Sequence, residues 1–108
     1  MGKLEKIERC IQKGKEDELV KLVHDHDKAV RLAAIDGLGK AGKDNACNVL
    51  ITLLLDEDAE IRAASAAALG VLGDPRAHTL LLHHLSVEKD AQVAAAIKAA
   101  VGKLHGGE

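Results

Sequence analysis

The stretch best equipped to do chemistry is His24-Asp25-His26-Asp27, two imidazoles alternating with two carboxylates. Such a donor set can hold Zn²⁺ or another divalent ion, and it invites comparison with metal-dependent phosphohydrolases. The spacing argues against that use. Residues of one short loop seldom converge on a single point unaided. His83 and His84 fall two repeat spacings away, roughly 20 Å at ~10 Å per helix layer. His24, His83, His84 and His105 all fall near expected helix C-termini, where the helix dipole favours an imidazolium. Capping is the preferred reading, and metal binding through His24 and His26 stays as an alternative.

The other reactive side chains are sparse. Cys10 and Cys47 form no CxxC pair and read as free, buried thiols of a reducing cytosol, with nothing to support a disulfide between them. No Ser/His/Asp set, glycine-rich phosphate loop or convergent carboxylate pair appears. No catalytic residue, metal or cofactor is therefore expected.

Composition narrows the class further. The 108 residues suit one domain; 47% are hydrophobic and 30% charged, which fits a globular chain and argues against disorder. A formal net charge of −2 gives no sign of a protein that tracks phosphates. The sequence has no Phe, Tyr or Trp, so it lacks rings for base stacking and the usual anchors of strong protein hot spots. No window approaches the ~20 apolar residues of a membrane span, and no signal core is present. Met1-Gly2 opens like a myristoylation site, but Lys6 stands where Ser or Thr is wanted. A cytoplasmic protein with no membrane partner is the expectation.

The elements that would position these residues come from an internal repeat. Val30-Arg31 recurs as Ile61-Arg62, Leu38-Gly39 as Leu69-Gly70 and Gly42 as Gly73, each 31 residues on. Val93 and Val101-Gly102 form a looser third copy displaced by 32, the extra residue falling in Ser86-Val87-Glu88-Lys89. Each unit reads as a short and a long helix. In the long ones, Val30/Ala33/Ala34/Gly37/Leu38/Ala41, Ile61/Ala64/Ser65/Ala68/Leu69/Leu72 and Val93/Ala96/Ile97/Ala100/Val101/Leu104 keep the i, i+3, i+4, i+7, i+8, i+11 register of a buried helix face. Leu19, Leu22 and Val23, then Val49, Leu50, Leu53 and Leu54, then Leu80, Leu81 and Leu85 mark the short ones. Asp74-Pro75 is read as N-cap and first helical residue, and Asp44-Asn45 plays a similar role in the preceding unit. Gly42 and Gly73 are expected to end helices in the left-handed conformation. Leu4, Ile7 and Ile11 mark one more helix, about residues 3–13, covering the N-terminal end of the stack. The total is about seven helices, with units of about 15–42, 43–73 and 74–105 in a single domain, 1–108, and no strands.

Residues Ile61-Arg62-Ala63-Ala64-Ser65-Ala66-Ala67-Ala68-Leu69-Gly70-Val71-Leu72-Gly73-Asp74-Pro75-Arg76-Ala77 resemble the signature of the short HEAT-like repeats first described in phycobiliprotein lyases. The resemblance extends over residues of about 15 to 104. It implies an all-α fold, a right-handed α-α superhelix of about three helix pairs plus the N-terminal helix, with the longer helices lining the concave face. It also implies an Asp–Arg ladder between units, built from Asp25, Asp27, Arg31, Asp56, Asp58 and Arg62. Ala94 stands where that pattern has Arg, which would end the ladder. Deoxyhypusine hydroxylase, a HEAT-like enzyme, carries metal-binding His-Glu pairs at positions matching Leu32-Ala33, Ala63-Ala64 and Ala95-Ala96 here, so its ligands are missing. Lyase activity does not carry over either, since no constellation suits a tetrapyrrole.

Off the core register, Leu32, Ile35, Asp36, Ala63, Ala66, Ala67, Ala95, Lys98 and Ala99 are expected to face the groove. They make a smooth, mostly apolar strip that either narrows the groove by helix packing or docks an apolar helix or extended peptide. The basic residues of the N-terminal helix interleave with Glu5, Glu8, Glu16 and Asp17 and read as a solvated mixed-charge face. The leading expectation is a non-enzymatic scaffold or adaptor that binds another protein or peptide through its curved helical surface. A nucleic-acid-binding solenoid is the first alternative, disfavoured because the strip offers chiefly Lys98 as a cation. Self-association, or membership of a longer repeat array, is left open by the Ala-rich last helix, a poor polar cap.

Overall fold

The computed structural model describes residues 2–104; Met1 and His105, and the readings made for them, lie outside the described residues. Among the described residues there are seven helices and no strands: α1 (Lys3–Lys13), α2 (Glu16–Leu22), α3 (Lys28–Ala41), α4 (Ala46–Leu53), α5 (Ala59–Leu72), α6 (Ala77–Val87) and α7 (Ala91–Leu104). No helix is long and apolar enough to cross a membrane among the described residues.

The helices assemble as the apolar spacing demands. α2 packs on α3, α4 on α5 and α6 on α7, while α1, α3, α5 and α7 pack in succession as one layer. The short helices α2, α4 and α6 form the second layer and touch one another sparingly. Leu19, Leu50 and Leu81 occupy the same place in the three short helices and are completely buried, as are Leu38 and Leu69 in α3 and α5. Each such side chain contributes about 2 kcal/mol by leaving water. Ser65 is buried within this interior, its hydroxyl donating to the Ile61 carbonyl at 2.8 Å, which satisfies it.

Small residues set the spacing between units. A Cβ on Gly39 would meet the Ala68 carbonyl oxygen at 2.9 Å, and one on Gly70 would meet Ala100 Cα at 3.1 Å. Long helices of successive units therefore touch backbone to backbone at a Gly–Ala pair.

Three details differ from the sequence reading. Gly73 ends α5 at φ 75°, in the left-handed region, but Gly42 ends α3 in an extended conformation, φ −70°. Its requirement is space: a Cβ there would overlap Ala46 Cβ and the Leu38 carbonyl. α6 starts at Ala77 after a turn, so Asp74 accepts the Arg76 N–H at 3.0 Å outside the helix and Pro75 precedes the first turn. Asn45 precedes α4 without capping it through its side chain. The cap comes from the previous unit, where the buried Glu16 carboxylate accepts the N–H groups of Lys43 (2.6 Å), Asn45 (3.2 Å) and Ala46 (2.8 Å).

Candidate functional site

On a helix packed on two sides within a layer, one face is left for solvent. In α3 that face carries Leu32, Asp36 and Lys40, and 31 residues on in α5 it carries Ala63, Ala67 and Val71. Ala95, Ala99 and Lys103 continue it on α7. Asp36, Ala67, Ala95 and Ala99 are exposed; Leu32 and Ala63 are half-buried. Asp36 and Lys40 pair with each other at 2.9 Å, so little uncompensated charge remains on this part of the face.

Two residues assigned to this strip are not on it. Ile35 and Ala66 are completely buried. They lie four residues before Gly39 and Gly70, on the side of each long helix that the next one covers. Lys98 holds the same register in α7 and is exposed, because no described helix covers that side of α7. Val71, by contrast, lies on the strip and is 53% exposed. Its place within the repeat signature concealed it, since Leu69 and Leu72 on either side belong to the core register.

The strip broadens into a groove between α1 and α3 of about 560 Å³, floored by Leu4, Ile7, Ile11 and Ala33 and rimmed by Glu5, Glu8 and Asp36. Reading α1 as an end cover hid this groove. The available signal was Leu4, an apolar residue that α3 covers only in part, leaving it 51% exposed.

The ion pairs between units use other partners than the expected Asp–Arg ladder. Asp27 and Asp58 cap α3 and α5 by accepting the N–H of Ala29 (2.9 Å) and Glu60 (2.8 Å). Asp25 and Asp56 brace the same loops by accepting the N–H of Asp27 and Asp58. The cations come from upstream helices: Lys3 meets Asp25 at 2.6 Å, and Lys28 meets Asp58 and Glu60 at 2.8 Å each. These lysines hold the Asp25 and Asp58 carboxyls below their ordinary range, chiefly by direct hydrogen bonds. Arg31 donates to the Asp25 and His26 carbonyls, and Arg62 to those of Asp56 and Glu57. A guanidinium satisfies loop carbonyls in this way because it offers five donors in a fixed fork.

Arg62 also reaches forward to Glu88, both carboxylate oxygens engaged at 3.0 and 3.1 Å. The Glu88 side chain is almost wholly buried. Its carboxyl is held at about 2, first by the Arg62 hydrogen bond, with the Asp90 N–H and His84 assisting. His84 Nε2 lies 2.9 Å from Glu88 Oε1, so this imidazole serves the carboxylate and not only the helix end. Glu88 stands one unit after Asp56, and its extra methylene gives it the reach to Arg62. It was missed because it fell in the irregular insertion.

The chemical-looking loop is dispersed. Asp25 turns to Lys3, Asp27 caps α3, and the His26 side chain is 91% exposed. No group of three His, Cys, Asp or Glu side chains is gathered where it could hold a metal ion among the described residues. Cys10 and Cys47 are buried and unpaired, and burial, aided by the nearby Asp74 carboxylate, pushes the Cys47 thiol up.

No curated protein matches the chain. A family model described as HEAT repeats matches residues 16–102, which takes in every helix pair from α2 to α7. The protein belongs to the HEAT-repeat family.

Proposed function

We propose that this HEAT-repeat chain is a non-enzymatic adaptor that binds a partner protein on the solvent face of its long-helix layer. HEAT repeats are commonly protein-interaction scaffolds. The observation that carries the reading is the strip itself. Leu32, Ala63, Ala67, Val71, Ala95 and Ala99 offer a shallow, largely apolar surface that runs across three units, and of these only Leu32 and Ala63 also pack against the core. A rigid, preformed surface of this kind binds with little ordering cost, which suits a partner helix or extended segment. The free, buried thiols fit a cytoplasmic setting.

The test uses a photo-crosslinking residue at Ala67 and, as a control, at the exposed Leu55 just beyond the end of α4. The Ala67 site is expected to capture a discrete set of proteins in cells, and Ala63→Glu is expected to abolish that capture with the fold unchanged by circular dichroism. Equal capture from both sites, or capture insensitive to Ala63→Glu, would sink the proposal. Retention on duplex DNA that falls steeply with salt would instead favour the nucleic-acid alternative.

A further inference from the structure

Two kinds of contact hold the long-helix layer together. Between α3 and α5 the backbones touch, Gly39 on Ala68, whereas between α1 and α3 side chains intervene. A Cβ on Gly37 of α3 would meet Ile11 Cγ1 at 3.1 Å. Branched side chains hold two helices farther apart than a glycine seam does. The α1–α3 junction accordingly opens on its solvent side, into the groove of about 560 Å³. Leu4, Ile7 and Ile11 run along its floor, over about 10 Å at the helical rise of 1.5 Å per residue.

Charge is sorted around α1, although the sequence interleaves it. Residues three and four apart share a side of a helix. Glu5 and Glu8 thus stand together on the groove and are exposed. Lys6, Arg9 and Lys13 line a separate hollow on the other flank, with Lys15. Two cations of α1 are met away from the groove, Lys6 by Glu18 at 3.3 Å and Lys3 by Asp25. Lys40, the cation in the groove lining, is held by Asp36 at 2.9 Å. Three carboxylates against one ammonium leave the groove apolar below and negative at its rim.

An occupant must match both features. A neutral or acidic helix would strip water from Glu5 and Glu8 and give them no cation in return. The basic flank of a second copy, Lys6, Arg9 and Lys13, would supply charge but no apolar side chain for the floor. We propose that this groove docks a basic amphipathic helix of a partner protein, apolar side chains from two successive turns seated on Leu4, Ile11 and Ala33 and a Lys or Arg beside them on Glu5 and Glu8. The chain has no aromatic residue of its own, so the large anchors come from the partner. This names the partner class for the interaction module and rests on that reading, with the contact placed where the strip widens.

The probes are two stapled helices with leucine one turn apart and either lysine or glutamate on both sides of that stripe. Titrated into the isotope-labelled full chain, the lysine helix is expected to shift amide signals of α1 and α3. Leu4→Gln, at a residue already 51% exposed, removes apolar floor and is expected to weaken binding about tenfold. Glu8→Lys reverses one rim charge, with an expected loss of about fivefold or more. Raising sodium chloride from about 50 to about 300 mM is expected to weaken the lysine helix as well. Arg9→Gln, on the other flank, and Ala63→Glu, which tests the long-helix strip, are expected to leave the titration unchanged. Capture at Ala67 and binding in this groove therefore fail separately. Circular dichroism of each variant checks that the helices are retained. Absent shifts, equal binding of both helices, or indifference to Leu4→Gln or Glu8→Lys would overturn the proposal. So would sedimentation showing a dimer that Leu4→Gln dissociates, since the occupant would then be a second copy.

Discussion

The junction between the first and second units and the junction between the second and third share one seam and differ in how it is locked. Both bring long helices together at a Gly–Ala pair, Gly39 on Ala68 and Gly70 on Ala100. At the first junction the lock is Glu16, whose carboxylate caps α4 by accepting three backbone N–H groups. At the second, Cys47 holds the corresponding position and makes no such cap, and Asp74 turns instead to Arg76, 2.6 Å away. The lock has moved to the other layer, where Arg62 grips Glu88. Apolar packing is thus the invariant feature of the repeat. The buried carboxylate fixing one unit against the next can come from either layer, provided that its lone pairs are met.

Substitutions that touch the shared seam should cost most. Gly42→Ala has no room beside Ala46 and the Leu38 carbonyl and is expected to lose about 3 kcal/mol in urea unfolding. Its counterpart Gly73→Ala meets only left-handed strain, φ 75°, and is expected to cost about 1 kcal/mol. Equal losses would show that the two helix ends do not differ as described. Next, Glu16→Ala leaves the N–H groups at the start of α4 without their acceptor and is expected to cost about 2 kcal/mol. Faster amide hydrogen exchange at Ala46 should accompany it, with α7 unaffected.

Glu88→Gln breaks the second lock by removing the charge that Arg62 meets, with an expected loss of about 1–2 kcal/mol at neutral pH. The folded-state carboxyl of Glu88 is lowered from 4.5 to about 2. Its stabilisation is therefore complete above the unfolded value and is lost as pH falls from about 5 toward 2. Thermal melts across that window should show the native chain and Glu88→Gln converging as the pH drops. A gap that persists at low pH would mean that the loss comes from packing and not from charge. The smallest effect is expected at Gly102→Leu, within about 0.5 kcal/mol of the native chain and in either direction, because no described atom crowds the position and leucine favours a helix. Comparison with Gly39→Leu would sharpen this, since the same change there must push Ala68 away.

Much of the fold was legible because it depends on periodicity. Stripes such as Ile61/Ser65/Ala68/Leu69 have one way to be buried, against their copies one unit on, and the repeat sets where those copies lie. The candidate surface was legible only in part. Ile35 and Ala66 carry the same apolar character as Leu32 and Ala63, and a rotation of 100° per residue separates a covered side from an open one. Telling them apart requires knowing on which side the next helix lies. Val71 was hidden for the converse reason, an exposed valine amid core residues.

The amino-acid sequence alone determined that seven helices form, that they stack as repeating pairs, and that leucine, valine, isoleucine and alanine fill the interior, since these follow from local propensity and apolar spacing. Only the tertiary structure decided which carboxylates lock the junctions and which side of each long helix stays open. Glu16 and Glu88 find their partners 26 to 30 residues away, and a pairing of that span depends on how one unit is laid against the next.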